Sequence, residues 1–175
     1  VKGVAFGVTI CEDIWRADGP VADQAALGAR LNININGSPY HRGKIGEREV
    51  MLSQRARDNA CAIVYVNQVG GQDELVFDGS SLVVASDGSL IARAESFESS
   101  LVIVELDVRE NDAHENDAHR SVSGHGPVAA ALDEYEELYR ALVLGARDYV
   151  RKNRFTDVVI GLSGGIDSSI VAAVA

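Results

Sequence analysis

A thiol at the end of an apolar run is the first arrangement in this chain that could do chemistry. In GVTICEDIW, residues 7–15, the β-branched and apolar run stops at Cys11, and Glu12 and Asp13 follow at once. Packing alone would place a small buried cysteine there. The chemical reading is a strand that presents a nucleophile at its carboxyl edge, with the thiolate as the attacking species. The two neighbouring acids repel a thiolate, so these residues do not themselves supply its activation. The second arrangement is GLSGGIDSS, residues 161–169. An apolar strand, a hydroxyl-rich Gly-Gly turn and a helix make an anion site, because N–H groups at the helix start point outward and its dipole favours negative charge. Ser163, Ser168 and Ser169 add donors, and Gly164 and Gly165 let phosphate oxygens approach the backbone. Neither the Walker pattern G-x-x-x-x-G-K-[ST] nor the dinucleotide fingerprint G-x-G-x-x-G is present. The structural alternative is a plain strand–turn–helix with serine caps, in which Asp167 is the N-cap.

Both arrangements need elements to hold them. Residues 3–10 read as a buried strand, GPVADQAALGAR as a helix with Pro20 in its first turn, and LNINING at 31–37 as a strand by its alternation. A helix is expected from about 47 to 60, with Val50, Met51, Ala56 and Ala60 on one face. AIVYVNQV is a third strand and GGQDELVFDG, 70–79, a loop. SSLVVAS, SLIARAE and LVIVELD are further strands, the first two joined by a hairpin at Asp87-Gly88. This β-α-β-α-β succession followed by a meander predicts an α/β layered domain. Residues 109–127 then carry almost no large apolar residue and contain ENDAH twice, at 110–114 and 115–119. His, Asp and Glu at such spacing are compatible with metal ligation, but a polar repeat of this kind reads more naturally as solvated linker and a domain boundary. From 128 to 152, Leu132, Tyr135, Leu138, Leu142, Ala146 and Tyr149 recur at helical spacing and predict a core face. TDVVIGL, 156–162, is read as a short buried strand ahead of the Gly-Gly turn.

A chain of 175 residues is long enough for one ordinary domain and the edge of a second. The net charge of −10 argues against a nucleic-acid or membrane-surface partner, which would require a basic patch. No apolar run approaches the roughly 20 residues of a membrane span. Two cysteines, Cys11 and Cys61, make neither a disulfide framework nor a zinc cluster, which predicts a reduced, cytoplasmic protein. Cys61, between Ala60 and Ala62, is expected to be a small buried hydrophobe. The chain starts at Val1 and ends at Ala175 inside a helical run, so an internal piece of a longer protein is expected.

GLSGGIDSS resembles the pyrophosphate-binding loop of the ATP pyrophosphatases, the family of NAD, GMP and asparagine synthetases. Such enzymes adenylate a carbonyl oxygen, release pyrophosphate and let ammonia displace AMP. GVTICEDIW, NINGSPYHRGK and YVNQVGGQDELVFDGSS resemble the nitrilase, or carbon–nitrogen hydrolase, superfamily, and the last stretch is similar to glutamine-dependent NAD synthetases in particular. The resemblance runs from about residue 3 to 175, with 109–127 its least matched part. It implies an α/β fold: the C-terminal part of a nitrilase-like α-β-β-α sandwich at 1–108, a linker at 109–127, and the start of a Rossmann-like ATP-binding domain at 128–175. It implies ATP-dependent amidation of deamido-NAD to NAD with ammonia from glutamine, ATP and Mg²⁺ as cofactors, and a homo-oligomer.

Carried over residue by residue, the resemblance makes Cys11 the glutaminase nucleophile. The family completes its triad with a Glu base and a Lys upstream of the cysteine; only Lys2 precedes Cys11 and lies too near it, so this stretch alone is expected to be catalytically incomplete. Glu12, Trp15, Ser38 and Lys44 fall at glutamine-binding positions; the alternatives are turn chemistry for Ser38-Pro39 and a solvated Lys44. Gly161, Leu162, Ser163, Gly164, Gly165, Ile166, Asp167, Ser168 and Ser169 would hold ATP phosphates, with Asp167 facing Mg²⁺. Three other functions are compatible with parts of this pattern. One is a different glutamine-fed ligase of the same loop class. Another is a stand-alone nitrilase-type amidase, against which SGGIDSS stands because a hydrolase needs no ATP loop. The third is an assembly module, which no residue favours.

Overall fold

The computed structural model describes residues 3–108 and 121–175. Lys2 and the ENDAH repeat lie outside the described residues. Three strands, β1 (Phe6–Ile10), β2 (Leu31–Asn36) and β3 (Ala62–Asn67), run parallel and adjacent. The crossovers between them carry α1 (Pro20–Ala26) and α2 (Lys44–Asn59). A hairpin of β4 (Val69–Gln72) and β5 (Leu75–Asp78) follows, and then β6 (Leu82–Val84) and β7 (Leu90–Arg93) return antiparallel to the sheet. The five-stranded order is β1-β2-β3-β6-β7. The expected α/β layering and the Asp87-Gly88 hairpin are both present. Because β1, β2 and β3 are parallel, the chain leaves all three at one edge, where open α/β sheets place ligands.

The pleat distributes the strand residues in a way that alternation alone did not indicate. On the face covered by α1 and α2 lie Thr9, Asn32, Asn34 and Asn36, all buried, beside Ile63 and Tyr65. These polar groups bond to one another: Thr9 Oγ1 donates to Asn32 Oδ1 at 2.8 Å, Asn34 Nδ2 to Thr9 Oγ1 at 2.9 Å, and Asn32 Nδ2 to Gln24 Oε1 of α1 at 2.9 Å. Burial of the amide nitrogens is tolerable when they are paired in this way, whereas Asn34 Oδ1 and Asn36 Oδ1 have no hydrogen-bond partner among the described residues. The opposite face shows Phe6, Val8, Ile35 and Val66 to solvent. The expectation of a buried strand at 3–10 therefore holds for every second residue only; among the described residues β1 has a strand partner on one side.

The apolar core under the helices is built from Ile14, Val21, Leu52, Ala56, Ile63, Tyr65, Leu82 and Val84. Helix α2 starts at Lys44, about a turn earlier than expected, because Gly43 at φ 83° swings the chain into it. Its buried residues are Arg48, Leu52 and Ala56, four apart, whereas Val50 is 72% exposed. Of the predicted face, Ala56 is buried and Met51 packs against the core, while Val50 and Ala60 are exposed, and an arginine stands in the buried row.

Further expectations are corrected. The segment read as a loop, 70–79, contains most of the β4–β5 ladder, its glycines supplying Gly70↔Phe77 and Gly71↔Val76 pairs. Helix α3 (Glu134–Lys152), capped by Asp133 accepting from the N–H groups of Tyr135 and Glu136, buries Ala141 and Leu144 against Phe97, Val69 and Val76. Its predicted stripe points elsewhere: Tyr135, Leu142 and Tyr149 are exposed, because the hairpin meets the helix on the Ala141–Gly145 side. Residues 156–162 form no strand and are largely exposed, since no described strand lies beside them to complete a ladder. Strand β8 (Glu105–Val108) pairs with β9 (Val122–His125), the latter within the stretch read as linker; Val122 is buried and exchanges hydrogen bonds with Ser86. Helix α4 (Ile166–Val174) is last, tied to α3 by Tyr139 Oη donating to the Ala173 carbonyl at 3.0 Å. Among the described residues no helix is long and apolar enough to cross a membrane.

Candidate functional site

At the carboxyl end of β1 the chain turns sharply. Cys11 adopts φ 45°, a left-handed conformation that costs a non-glycine residue about 1–3 kcal/mol and survives only where surroundings enforce it. The enforcement is visible. Residues Cys11–Ile14 make one 3₁₀ turn; the Ile10 N–H donates to Asp13 Oδ2 at 2.9 Å, and Ile14 is fully buried. From α2, Arg55 donates to the carbonyls of Ile14 at 3.2 Å and Trp15 at 3.0 Å. A half-buried thiol is thereby lifted out of the strand on a tight strand-to-helix turn, the device by which nucleophiles are presented above a sheet. Of the two flanking acids, Asp13 is committed to this turn, while Glu12 is exposed.

Ser38 stands on the turn that leaves β2 and is buried. The Asn67 side chain, at the end of β3, accepts from the Ser38 N–H at 2.9 Å and donates to its carbonyl at 3.3 Å. From α2, Arg48 reaches the same turn, bonding to Ser38 Oγ and to the Ser38 and Pro39 carbonyls. Tyr40 N donates to the Val76 carbonyl of β5 at 2.7 Å, and the Tyr40 ring packs edge-on against Phe97. Ser38 is therefore not a loose turn residue.

Lys44 and Trp15 meet: the Lys44 ammonium lies 4.0 Å from the centre of the Trp15 ring and 3.4 Å from Glu47 Oε2. Lys44 is only 18% exposed along its side chain, which rules against a merely solvated lysine. A cation over an indole face is suited to an anionic end of a small substrate.

Tyr65 links these groups. Its ring is fully buried. Burial pushes the phenol above its ordinary value; the neighbouring Ser38 side chain, as a hydrogen-bond donor, and the charge of Arg48 pull it back, while charge on Cys11 and Asp78 pushes it further. Tyr65 thus feels the groups at the ends of β1 and β2 together. Neither it nor Arg48, Asn67 and Asp78 stood out in the sequence. The available signal was positional: Arg48 falls four and eight residues before Leu52 and Ala56, so a charge was aligned with an apolar row.

The second arrangement is open. Gly164 takes φ 84°, Gly165 is the N-cap of α4 in an extended conformation, and all of 161–167 is exposed. Ser168 and Ser169 hydroxyls turn back to the Gly165 carbonyl at 3.0 and 2.9 Å, and Ser163 Oγ lies 3.2 Å from Ser168 Oγ. The first-turn N–H groups have no intrahelical acceptor and face outward. Asp167 sits in the first turn with no capping bond, so the cap alternative fails: Gly165 occupies that position. No group of three or more His, Cys, Asp or Glu is arranged for a metal among the described residues. Cys61 is buried, with its thiol pushed up to about 11 by desolvation, as a structural cysteine should be.

Comparison with known proteins follows the same division. Residues 1–113 match the family Carbon-nitrogen hydrolase, and residues 138–175 match NAD synthase. Over the whole chain it is 45% identical to a glutamine-dependent NAD(+) synthetase of Aquifex aeolicus, of which it covers 35%, and 44% identical to that of Thermotoga maritima, of which it covers 34%. A solved glutamine-dependent NAD+ synthetase from Acinetobacter baumannii, in complex with ADP, superposes with a TM-score of 0.87 at 40% identity, over 100% of this chain and 31% of that one. One from Cytophaga hutchinsonii gives 0.68 at 26% identity, over 97% of this chain and 24% of that one. The chain spans about a third of the length of the curated relatives it matches.

Proposed function

The chain belongs to the carbon-nitrogen hydrolase family, and from that premise we propose that it serves a glutamine-dependent NAD synthetase. The overall reaction is glutamine, water, ATP and deamido-NAD giving glutamate, AMP, pyrophosphate and NAD. The carrying observation is the coexistence, in one chain, of a thiol on an enforced left-handed turn and a Gly-Gly turn at a helix start. The first suits acyl transfer from an amide; the second suits a nucleoside triphosphate. The relatives matched along the whole chain are named as such synthetases.

In this reading Cys11 attacks the glutamine side-chain amide, forming a thioester and releasing ammonia; water then frees glutamate. Ser38, Lys44, Trp15 and Glu12 hold the substrate's charged end. Gly161 to Ser169 receive the ATP phosphates on backbone N–H groups and serine hydroxyls. Asp167 is a single exposed carboxylate beside those groups, which fits Mg²⁺ only as a cation shared with phosphate oxygens, its usual manner of binding. The domain limits 1–108, 109–127 and 128–175, a cytoplasmic setting and a homo-oligomeric assembly belong to the same proposal.

The test uses the complete enzyme. Cys11→Ala should abolish glutamine-driven NAD formation while added ammonia still supports it, because the two sites share only a diffusible product. A folded Cys11→Ala variant that also loses the ammonia-driven reaction would contradict the division of labour. Adenylation of an acceptor other than deamido-NAD would point to another glutamine-fed ligase.

A further inference from the structure

We propose that Arg55 of α2 is a positioning residue that holds the turn carrying Cys11 in the conformation from which the thiol attacks. This rests on the reading that Cys11 is the nucleophile. Arg55 directs Nε to the Ile14 carbonyl at 3.2 Å and Nη2 to the Trp15 carbonyl at 3.0 Å. Its side chain is 14% exposed, against 43% for Asp58, whose Oδ2 lies 3.5 Å from Nη1. The guanidinium is thus committed mainly to two backbone carbonyls of another element, its planar fork spanning consecutive residues.

The turn needs such a clamp for two reasons. Cys11–Ile14 is one 3₁₀ turn of four residues, and the carbonyls at the end of a helix have no donor within it. Cys11 also stands at φ 45°, which a cysteine keeps only where its surroundings over-determine the backbone. The front of the turn is closed by the Ile10 N–H donating to Asp13 Oδ2 at 2.9 Å. Asp13 belongs to the turn it closes and moves with it. Burial of the Ile14 side chain fixes one point of the turn. Arg55 adds an anchor from 40 residues along the chain, on a helix whose neighbouring positions Leu52 and Ala56 are buried in the core. Bonds to two successive carbonyls fix the orientation of their peptide planes, and with it the backbone path back to Cys11.

The consequence is felt at the sulfur. With both carbonyls released, Cys11 is free to leave the left-handed region for an ordinary φ, and that rotation carries its Cβ and Sγ away. A nucleophile must reach near-attack geometry, and a misplacement of about 1 Å costs on the order of a hundredfold in rate. The loss therefore falls on the chemical step. Trp15 is gripped by its carbonyl and not by its ring, whose face is covered by the Lys44 ammonium at 4.0 Å. Substrate affinity should accordingly depend on Arg55 far less than turnover does.

The experiment uses the complete enzyme and measures Cys11-dependent glutamine hydrolysis, ammonia-driven amidation and thermal unfolding in wild type, Arg55→Met, Arg55→Lys and Asp58→Asn. Methionine keeps an apolar stem and removes every donor. Its kcat for glutamine hydrolysis should fall about a hundredfold, with KM for glutamine changed far less and the ammonia-driven rate unaltered. Lysine can serve one carbonyl but not both in the plane of a fork, so Arg55→Lys should lose only about tenfold in kcat. It also carries the test should Arg55→Met fail to fold. Asp58→Asn removes the exposed ion-pair partner and should leave kcat near wild type, because such pairs contribute little. A purely structural arginine would lower the unfolding temperature and leave kcat of the folded variants unchanged, which overturns the proposal. A raised KM at wild-type kcat overturns it too, by assigning Arg55 to substrate binding through Trp15. Wild-type enzyme with no Cys11-dependent hydrolysis of glutamine removes the glutaminase reading itself, and the proposal with it.

Discussion

Cys11 and Cys61 are the same side chain in opposite settings, and their difference can be measured. Cys61 is 1% exposed, its thiol bonded to the Ala62 carbonyl, and burial raises it from 9.0 to about 11. A group that is harder to ionise when folded contributes full stability below its unfolded value and loses it as pH rises through the folded one. The window is pH 9 to 11. There the unfolded chain releases a proton that the folded chain keeps, so stability falls by about 2–3 kcal/mol on raising the pH. Cys61→Ala should remove that fall from a series of denaturant unfolding curves, after its own constant loss of packing. Alkylation of the native protein at pH 8 should accordingly modify half-buried Cys11 and spare Cys61 until the chain unfolds. The identity of Cys11 as a candidate nucleophile was legible from the strand that ends on it. The left-handed φ that presents it was not, because no residue type in C-E-D-I calls for a positive φ; the bond from the Ile10 N–H to Asp13 and the reach of Arg55 from α2 impose it. Arg48 and Asp78 were illegible for a related reason. Each is an ordinary charged residue 30 positions from the other, and only the closing of β5 onto α2 brings them together.

At the scale of elements, alternation and helical spacing located most strands and helices but not the face each would bury. LNINING announces a strand equally well with isoleucines or asparagines inward. The choice was made by α1, whose Gln24 offers the asparagines a partner. The β4–β5 hairpin was taken for a loop because its two glycines break the apolar pattern, yet they are there for closeness to α3. A Cβ at Gly71 would lie 3.0 Å from the Gly145 Cα and 3.2 Å from its carbonyl, both backbone atoms. Gly71 N also donates to Asp148 Oδ2 at 2.9 Å, and Lys152 donates to the Gly71 carbonyl. Gly71→Ala should therefore push α3 away at a cost of about 1–3 kcal/mol, read as faster amide exchange in α3 than in β2 and β3. Gly46, in the first turns of α2, has nothing within 4 Å of a new Cβ. Gly46→Ala should stabilise the protein by about 0.5–1 kcal/mol in the same measurement, from helix propensity alone. Equal effects of the two substitutions would mean that the close approach of hairpin and helix carries no energy.

At the scale of the whole molecule, the chain joins two pieces of chemistry. The turn at Cys11 is held by Asp13 and by Arg55 of α2, and the turn at Ser38 by Asn67 of β3 and Arg48 of α2. The Gly-Gly turn and α4 stand open, attached to the rest through α3. Substitutions in the second piece should therefore leave the first intact. Asp167 provides the sharpest case. Its carboxylate is exposed and makes no capping bond, and the cap position belongs to Gly165. Asparagine in its place removes one negative charge from the first turn of α4, a loss of about 1 kcal/mol or less through the helix dipole. Thermal unfolding of Asp167→Asn should thus resemble wild type, and Cys11-dependent glutamine hydrolysis should persist. If the carboxylate shares a magnesium ion with ATP phosphates, kcat for ATP-dependent amidation should fall on the order of a hundredfold, because metal-held phosphate charge is a main electrostatic contribution to such chemistry. Raising Mg²⁺ should restore part of the rate, since the defect is one of cation affinity. Wild-type amidation with wild-type Mg²⁺ dependence would leave the anion-binding turn in place and take Asp167 out of it; loss of glutamine hydrolysis together with amidation would show that the two pieces are not separable.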